Sequence, residues 1–219
     1  MNKKLVLHSD QIQGKKEVDE KFLQLCGKQP WEIRISYIPS QSDVTRKYFN
    51  EKVAWYAQLW IKSEHITYFD IDKEYDSIKE DALLSNDVIF LSWGNTFYFL
   101  SCLKKRGFIE KLRAFVEQWW ILIWASAGAI LMSKTIWTAS GIFNDDENIS
   151  WLTDLSALGL NDFEFHPHFV WAKEEIEKLI EYSRWKLVYA VQDGDWIIVN
   201  GENIELIWDV AVFQNGERE

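Results

Sequence analysis

The chain has 219 residues and a mass of 26.0 kDa, with 47% hydrophobic and 26% charged residues and three prolines; this excludes disordered, collagen-like and Pro-rich classes and leaves a globular protein with a sizeable core. The net charge of −10, with no stretch dense in Lys or Arg, argues against a nucleic acid or an anionic membrane as partner. One count departs from ordinary usage: 13 tryptophans against 10 glycines, where glycine averages ~7% of residues.

In chain order, the charged Met1–Lys4 segment is followed by only Leu5-Val6-Leu7, too short an apolar run for a signal peptide. Short β-branched or aromatic runs at Leu5–His8, Ile33–Ile38, Ile66–Ile71, Asp87–Ser92 and Ile121–Ala125 read as strands. Amphipathic stretches at Glu17–Leu25, Ser42–Leu59, Asn95–Lys105 and Ile109–Gln118 read as helices, another helix opens at Ala127, and one more spans Lys173–Ser183. The alternation predicts an α/β fold, a doubly wound, mostly parallel sheet with helices on both faces. From Lys186 to Arg218, Asp-Gly and Asn-Gly turns between short apolar runs predict a C-terminal β-meander at the edge of that sheet. With no repeat or linker, residues 1–219 read as a single domain.

Cys26 and Cys102 lack any zinc or CxxC spacing, which predicts reduced thiols, no metal site and a cytoplasmic protein. The apolar run Trp119–Met132 falls short of the ~20 residues that span a bilayer and reads as a buried strand turning into a helix. That junction carries the chemistry. In Ile121-Leu122-Ile123-Trp124-Ala125-Ser126-Ala127-Gly128-Ala129, a sharp strand-to-helix turn would lift the Ser126 hydroxyl above the sheet edge as a nucleophile elbow. The Ser126 and Ala127 backbone N–H groups would then face a developing oxyanion. The plainer reading is that Ser126 caps the helix. The loop Ser92-Trp93-Gly94-Asn95-Thr96-Phe97 follows a neighbouring strand and should open on the same crevice, with the Gly94 N–H as a second oxyanion donor and Asn95 or Thr96 as a helix cap. A serine nucleophile needs a base, for which His166 and His168 in Phe165-His166-Pro167-His168-Phe169 are the candidates, and an acid, for which Asn144-Asp145-Asp146-Glu147-Asn148 supplies the carboxylates.

These residues resemble the peptidase E (aspartyl dipeptidase) group of serine peptidases, related to cyanophycinase and built on a fold like that of class I glutamine amidotransferases. Three motifs match in order: the Gly-Gly-Asn-Thr-Phe loop at Trp93–Phe97, the Gly-x-Ser-Ala-Gly-Ala elbow at Trp124–Ala129, and a Pro-His-Phe/Tyr segment at Pro167–Phe169. The resemblance implies Ser126 as nucleophile, His168 as base, an oxyanion hole at Gly94 and Ala127, substrate contacts at Asn95 and Thr96, and Asp146 as the acid, with Glu147 or Asp145 as alternatives. It implies hydrolysis of short peptides, N-terminal Asp dipeptides among them, with no cofactor, in a monomer or homodimer. The competing reading is a catalytically inactive member, or a small-ligand binder, impaired by tryptophan at glycine positions. A glutamine amidotransferase would need cysteine at the elbow, and an α/β-hydrolase esterase would carry a His-Gly-Gly loop that this chain lacks.

The departures from the family pattern share one form, since Trp93 and Trp124 stand where the motifs have glycine. Trp31 follows Pro30 where a type II turn would take glycine, and Trp60 and Trp185 fall at helix ends where a left-handed glycine is usual. Trp119, Trp120, Trp196 and Trp208 flank strands or turns in the same way. This distribution predicts a codon, UGA foremost, that the source reads as glycine at these nine positions.

Overall fold

The computed structural model describes residues 3–12, 16–139, 143 and 146–219. In chain order the elements are β1 (Lys4–His8), α1 (Lys16–Cys26), β2 (Ile35–Ile38), α2 (Lys47–Gln58), β3 (Ile66–Tyr68), α3 (Glu80–Leu84), β4 (Val88–Leu91), α4 (Thr96–Lys105), α5 (Phe108–Glu117), β5 (Ile121–Ala125), α6 (Ala127–Ile130), β6 (Glu164–His166), α7 (Lys173–Ser183), β7 (Val188–Ala190), β8 (Trp196–Asn200), β9 (Asn203–Ile207), β10 (Ala211–Gln214) and β11 (Glu217–Arg218).

A seven-stranded sheet runs β3-β2-β4-β5-β1-β8-β9, and its first five strands are mutually parallel. Alternation along each strand divides its side chains between two cores. Leu5, Leu7, Ile89, Leu91, Leu122 and Trp124 face the helices α4, α5 and α6, whereas Val6, Val88, Phe90, Ile121 and Ile123 face α1 and α2. A strand covered on both faces and paired on both edges has no polar side, which is why β5 is a continuous Ile-Leu-Ile-Trp-Ala run buried at every position. Burying one such large aliphatic side chain stabilises the fold by ~1.5–3 kcal/mol.

The expected edge meander is divided between two sheets. The β8–β9 hairpin closes the edge of the large sheet beside β1, while β7, β10 and β11 join β6 in a second, four-stranded sheet ordered β11-β10-β7-β6. The cause is β6, a three-residue strand too short to show a period in the sequence, which pairs in parallel with β7 and draws it away from the large sheet. Other expected elements shorten. Strand β2 starts at Ile35 because Pro30–Glu32 forms a 3₁₀ turn, with the Ile33 N–H donating to the Pro30 carbonyl, and the helix opening at Ala127 stops after four residues. Among the described residues, no helix is long and apolar enough to cross a membrane.

Candidate active site

The crossovers place the carboxyl ends of β4, β5 and β1 side by side, the position where open α/β sheets bind ligands. Ser126 follows β5 directly with φ 50° and ψ −113°, a conformation that L residues rarely adopt and that a sharp elbow imposes. Its N–H donates to the His8 carbonyl at 3.0 Å, and its carbonyl accepts from the Ala129 N–H at 2.8 Å, so both flanks of the turn are fixed. The turn is tight because Gly128 lets α6 lie on the end of β4: a Cβ there would stand 2.7 Å from the Leu91 carbonyl oxygen. The Ser126 hydroxyl makes no capping bond to the helix, which removes the plain cap reading. Its Oγ lies 2.8 Å from His168 Nε2.

His168 follows β6 of the second sheet, and Asp193 lies on the loop that joins β7 of that sheet to β8 of the large one. The pairing of β6 with β7 is prolonged by Val191 N–H to the His166 carbonyl (2.8 Å) and Phe169 N–H to the Val191 carbonyl (3.1 Å), which carries residues 168 and 193 past the strand ends together. His168 Nδ1 lies 2.8 Å from Asp193 Oδ1. The hydrogen-bonded chain Ser126–His168–Asp193 is therefore continuous.

The expected acid is corrected by this geometry: the carboxylate on His168 is Asp193, not Asp146. Asp146 Oδ2 instead accepts the Thr96 N–H at 2.7 Å and serves the N-terminus of α4. Glu147 reaches the same loop through its carbonyl, which accepts from Asn95 Nδ2 at 2.8 Å, and Asp145 lies outside the described residues. Asp193 lies C-terminal to His168, outside the stretch between serine and histidine in which the resemblance places the acid. The available signal was Asp193-Gly194, a turn opening directly before a strand that pairs with the strand preceding Ser9 and Asp10.

His166, the other candidate base, is buried, with its Nε2 2.7 Å from Glu175 Oε1. It lines the cleft but makes no hydrogen bond to Ser126. Gly94 and Ala127, the two residues expected to form an oxyanion hole, both line the cleft. Gly94 has φ 142°, and a Cβ there would fall 2.0 Å from Ser40 Oγ, so the loop accepts glycine alone. Asn95 is not a cleft residue. Its Oδ1 accepts the Tyr98 N–H and its Nδ2 is held by Glu147, so both ends of the amide are used within the protein. Thr96 is buried yet borders the cleft.

The cleft encloses about 750 Å³, and its wall carries Asp10, Asp146, Glu174 and Glu175 together with Lys178, which lies 3.0 Å from Glu174. Trp93 forms part of the wall, edge-to-face against Tyr48 at 4.2 Å. Neither thiol competes with Ser126 as nucleophile: burial pushes Cys26 up to about 12 and Cys102 up to about 11, and neither lines the cleft.

Known proteins share this arrangement of chain. The sequence is 26% identical over 178 residues to an uncharacterized peptidase of Listeria monocytogenes, covering 78% of this chain and 83% of that protein. It is 27% identical over 145 residues to a peptidase E of Actinobacillus pleuropneumoniae, covering 62% and 58% respectively. The fold superposes on a crystal structure described as a peptidase E protein from Listeria monocytogenes with a TM-score of 0.70 and 24% identity, over 94% of this chain and 98% of that one. It superposes on a peptidase from an acI-B1 actinobacterium with a TM-score of 0.69 and 15% identity, over 100% and 93%. The model of peptidase family S51 matches residues 5–207, and the chain belongs to that family of serine-type peptidases.

Proposed function

We propose that this peptidase hydrolyses short peptides through an acyl-enzyme on Ser126, with His168 as general base and Asp193 as its orienting acid. The observation that carries the reading is the unbroken chain from Ser126 Oγ to His168 Nε2 and from His168 Nδ1 to Asp193 Oδ1, each link 2.8 Å. Ser126 attacks the scissile carbonyl as His168 takes its proton. The carbonyl oxygen becomes an oxyanion held between the Gly94 and Ala127 N–H groups, and His168 returns the proton to the leaving amine. Water, deprotonated by the same imidazole, then attacks the ester and frees Ser126. For a substrate with an N-terminal aspartate, Lys178 is the cation on the wall available to meet the acidic side chain, once it parts from Glu174.

Labelling of the folded protein by a fluorophosphonate tests the nucleophile. Labelling at Ser126 that vanishes in Ser126→Ala is expected, and folded protein that takes no label would favour the inactive, ligand-binding reading. A dipeptide library containing Asp-X, neutral and Lys-X members, run on the wild type and on Lys178→Ala, reads the substrate. Turnover of Asp-X peptides that is unchanged in Lys178→Ala would remove Lys178 from the account.

A further inference from the structure

We infer that Ser9 is a positioning residue that straps the His168–Asp193 pair to the large sheet; this rests on the serine-peptidase reading above. In the parallel pairing of β1 with β5, His8 stands opposite Ala125, so Ser9 and Ser126 each lie one residue beyond the paired strand ends. The two serines take opposite sides of one imidazole. Ser126 meets Nε2, and Ser9 Oγ lies 3.0 Å from Nδ1.

Ser9 makes two further bonds. Its hydroxyl donates to Asp193 Oδ1 at 2.7 Å, and its oxygen accepts the His168 backbone N–H at 2.7 Å. The second holds a residue whose backbone is left-handed, at φ 55°. With the hydroxyl proton committed to Asp193, Nδ1 faces two acceptors, Ser9 Oγ and Asp193 Oδ1, and carries the ring proton itself. Nε2 is thereby left bare toward Ser126, the tautomer a general base requires.

A strap is needed because the pair it holds is open to water. The side chains of His168 and Asp193 are each 52% exposed, and a hydrogen bond so open to water holds its geometry weakly. Ser9 is 1% exposed and rooted at the end of a strand paired on both edges. The same junction is closed by the Gly194 N–H, which donates to the Asp10 carbonyl at 2.9 Å. Ser126 belongs to the large sheet and His168 to the loop beyond the small one, so their 2.8 Å contact depends on what ties the two sheets together here.

The test compares Ser9→Ala, Ser9→Cys and Ser9→Thr with the wild type on a peptide it turns over. Loss of the hydroxyl should lower kcat by about 10²-fold and leave KM within about twofold, since the substrate cleft is intact and only the base is misplaced. Ser9→Thr, which keeps the hydroxyl, should recover most of the loss. Wild-type kcat in Ser9→Ala, or equal losses in Ser9→Ala and Ser9→Thr, overturns the inference. A second measurement does not need turnover: the low-field proton resonance of His168 Nδ1–H should be sharp in the wild type. It should be broadened by exchange in whichever of Ser9→Ala and Ser9→Cys retains the wild-type circular dichroism. An unchanged resonance overturns the strap, whereas a wild-type protein that neither labels nor hydrolyses peptides overturns the peptidase reading and leaves the resonance as the test of Ser9.

Discussion

Asp193 and Asp146 hold different parts of the cleft, His168 and the start of α4, and their substitutions should separate cleanly. Asp193→Asn keeps the size of the side chain but removes the charge that orients His168, and should lower kcat by roughly 10²–10⁴-fold with little change in KM or melting temperature. Asp146→Asn acts at the other wall. It weakens a charge-assisted bond to the Thr96 N–H, and should cost about 1 kcal/mol of stability through the N-terminus of α4. Because that helix begins two residues after Gly94, Asp146→Asn should also slow fluorophosphonate labelling of Ser126, but by far less than Asp193→Asn. Equal kinetic losses in the two variants would contradict the division. That Ser126 and His168 would meet, and that Gly94 and Ala127 would line the same cleft, was legible in the sequence because each sits in a motif whose residue types the chemistry dictates. The acid was not, since a half-exposed aspartate on a turn looks like any other solvated turn until the pairing of β6 with β7 shows which turn lies beside the histidine.

At the scale of elements, the parallel strands were readable because burial on both faces leaves a continuous apolar run, and β5 and α7 were bounded to the residue. Strands β6 and β7, of three residues each, carry no period and depend on each other. The tryptophans show how far local signals reach. Trp60, Trp119 and Trp208, expected where glycine is usual, have φ of 66°, 67° and 69°, and Trp151 joins them at 52°. A left-handed backbone costs an L residue roughly 1–2 kcal/mol. Trp31 and Trp185 were misjudged: neither has a positive φ, Trp31 lies within a 3₁₀ turn, and both are exposed. Trp93, Trp120, Trp124 and Trp196 have ordinary backbones too, and the last two are enclosed, Trp124 among the core side chains of its sheet face and Trp196 stacked on His8 at 4.2 Å. Trp60→Gly should therefore raise stability by about 1 kcal/mol, because its indole is 79% exposed and buries little. Trp31→Gly should not, and thermal melts of the two variants side by side decide the matter. The same reasoning sharpens the codon reading, whose backbone support rests on Trp60, Trp119 and Trp208. The intact mass of protein from its native source should report glycine there, and a mass that retains all 13 tryptophans ends that reading.

At the scale of the molecule, the end of β1 meets the loops beyond the second sheet at a histidine that stands outside the Ser126–His168–Asp193 chain. His8 ends β1, immediately before Ser9, and its carbonyl holds the elbow through the Ser126 N–H. Its ring is fully buried, stacked on Trp196 and tilted against Phe90 at 6.2 Å, and neither ring nitrogen has a hydrogen-bond partner. Burial first, and then the positive charge of Lys52, hold its pKa well below the ordinary 6.5. Lys52 is itself buried and pushed down to about 8, so it is still largely charged at neutral pH and adds to the cost of a second cation. As the pH falls below 6.5, the unfolded chain takes up a proton on His8 that the folded chain refuses. Stability that is complete above pH 6.5 is then lost toward acid, at a limiting slope of about 1.4 kcal/mol per pH unit. The carboxylates held low by their hydrogen bonds, Asp43 through Thr45 and Asp154 through Lys104, protonate only at more acid pH and do not mask this window. His8→Phe keeps the ring stacked between Trp196 and Phe90 and removes the titration. Denaturant melts between pH 7 and pH 5 should therefore slope for the wild type and run flatter for His8→Phe, and parallel curves would show that the acid sensitivity arises elsewhere. Since Ser9 and the elbow both hang on the end of β1, the variant should also hold its activity further into acid after preincubation there, because what it protects is the strand that fixes Ser126 and the strap on His168 together.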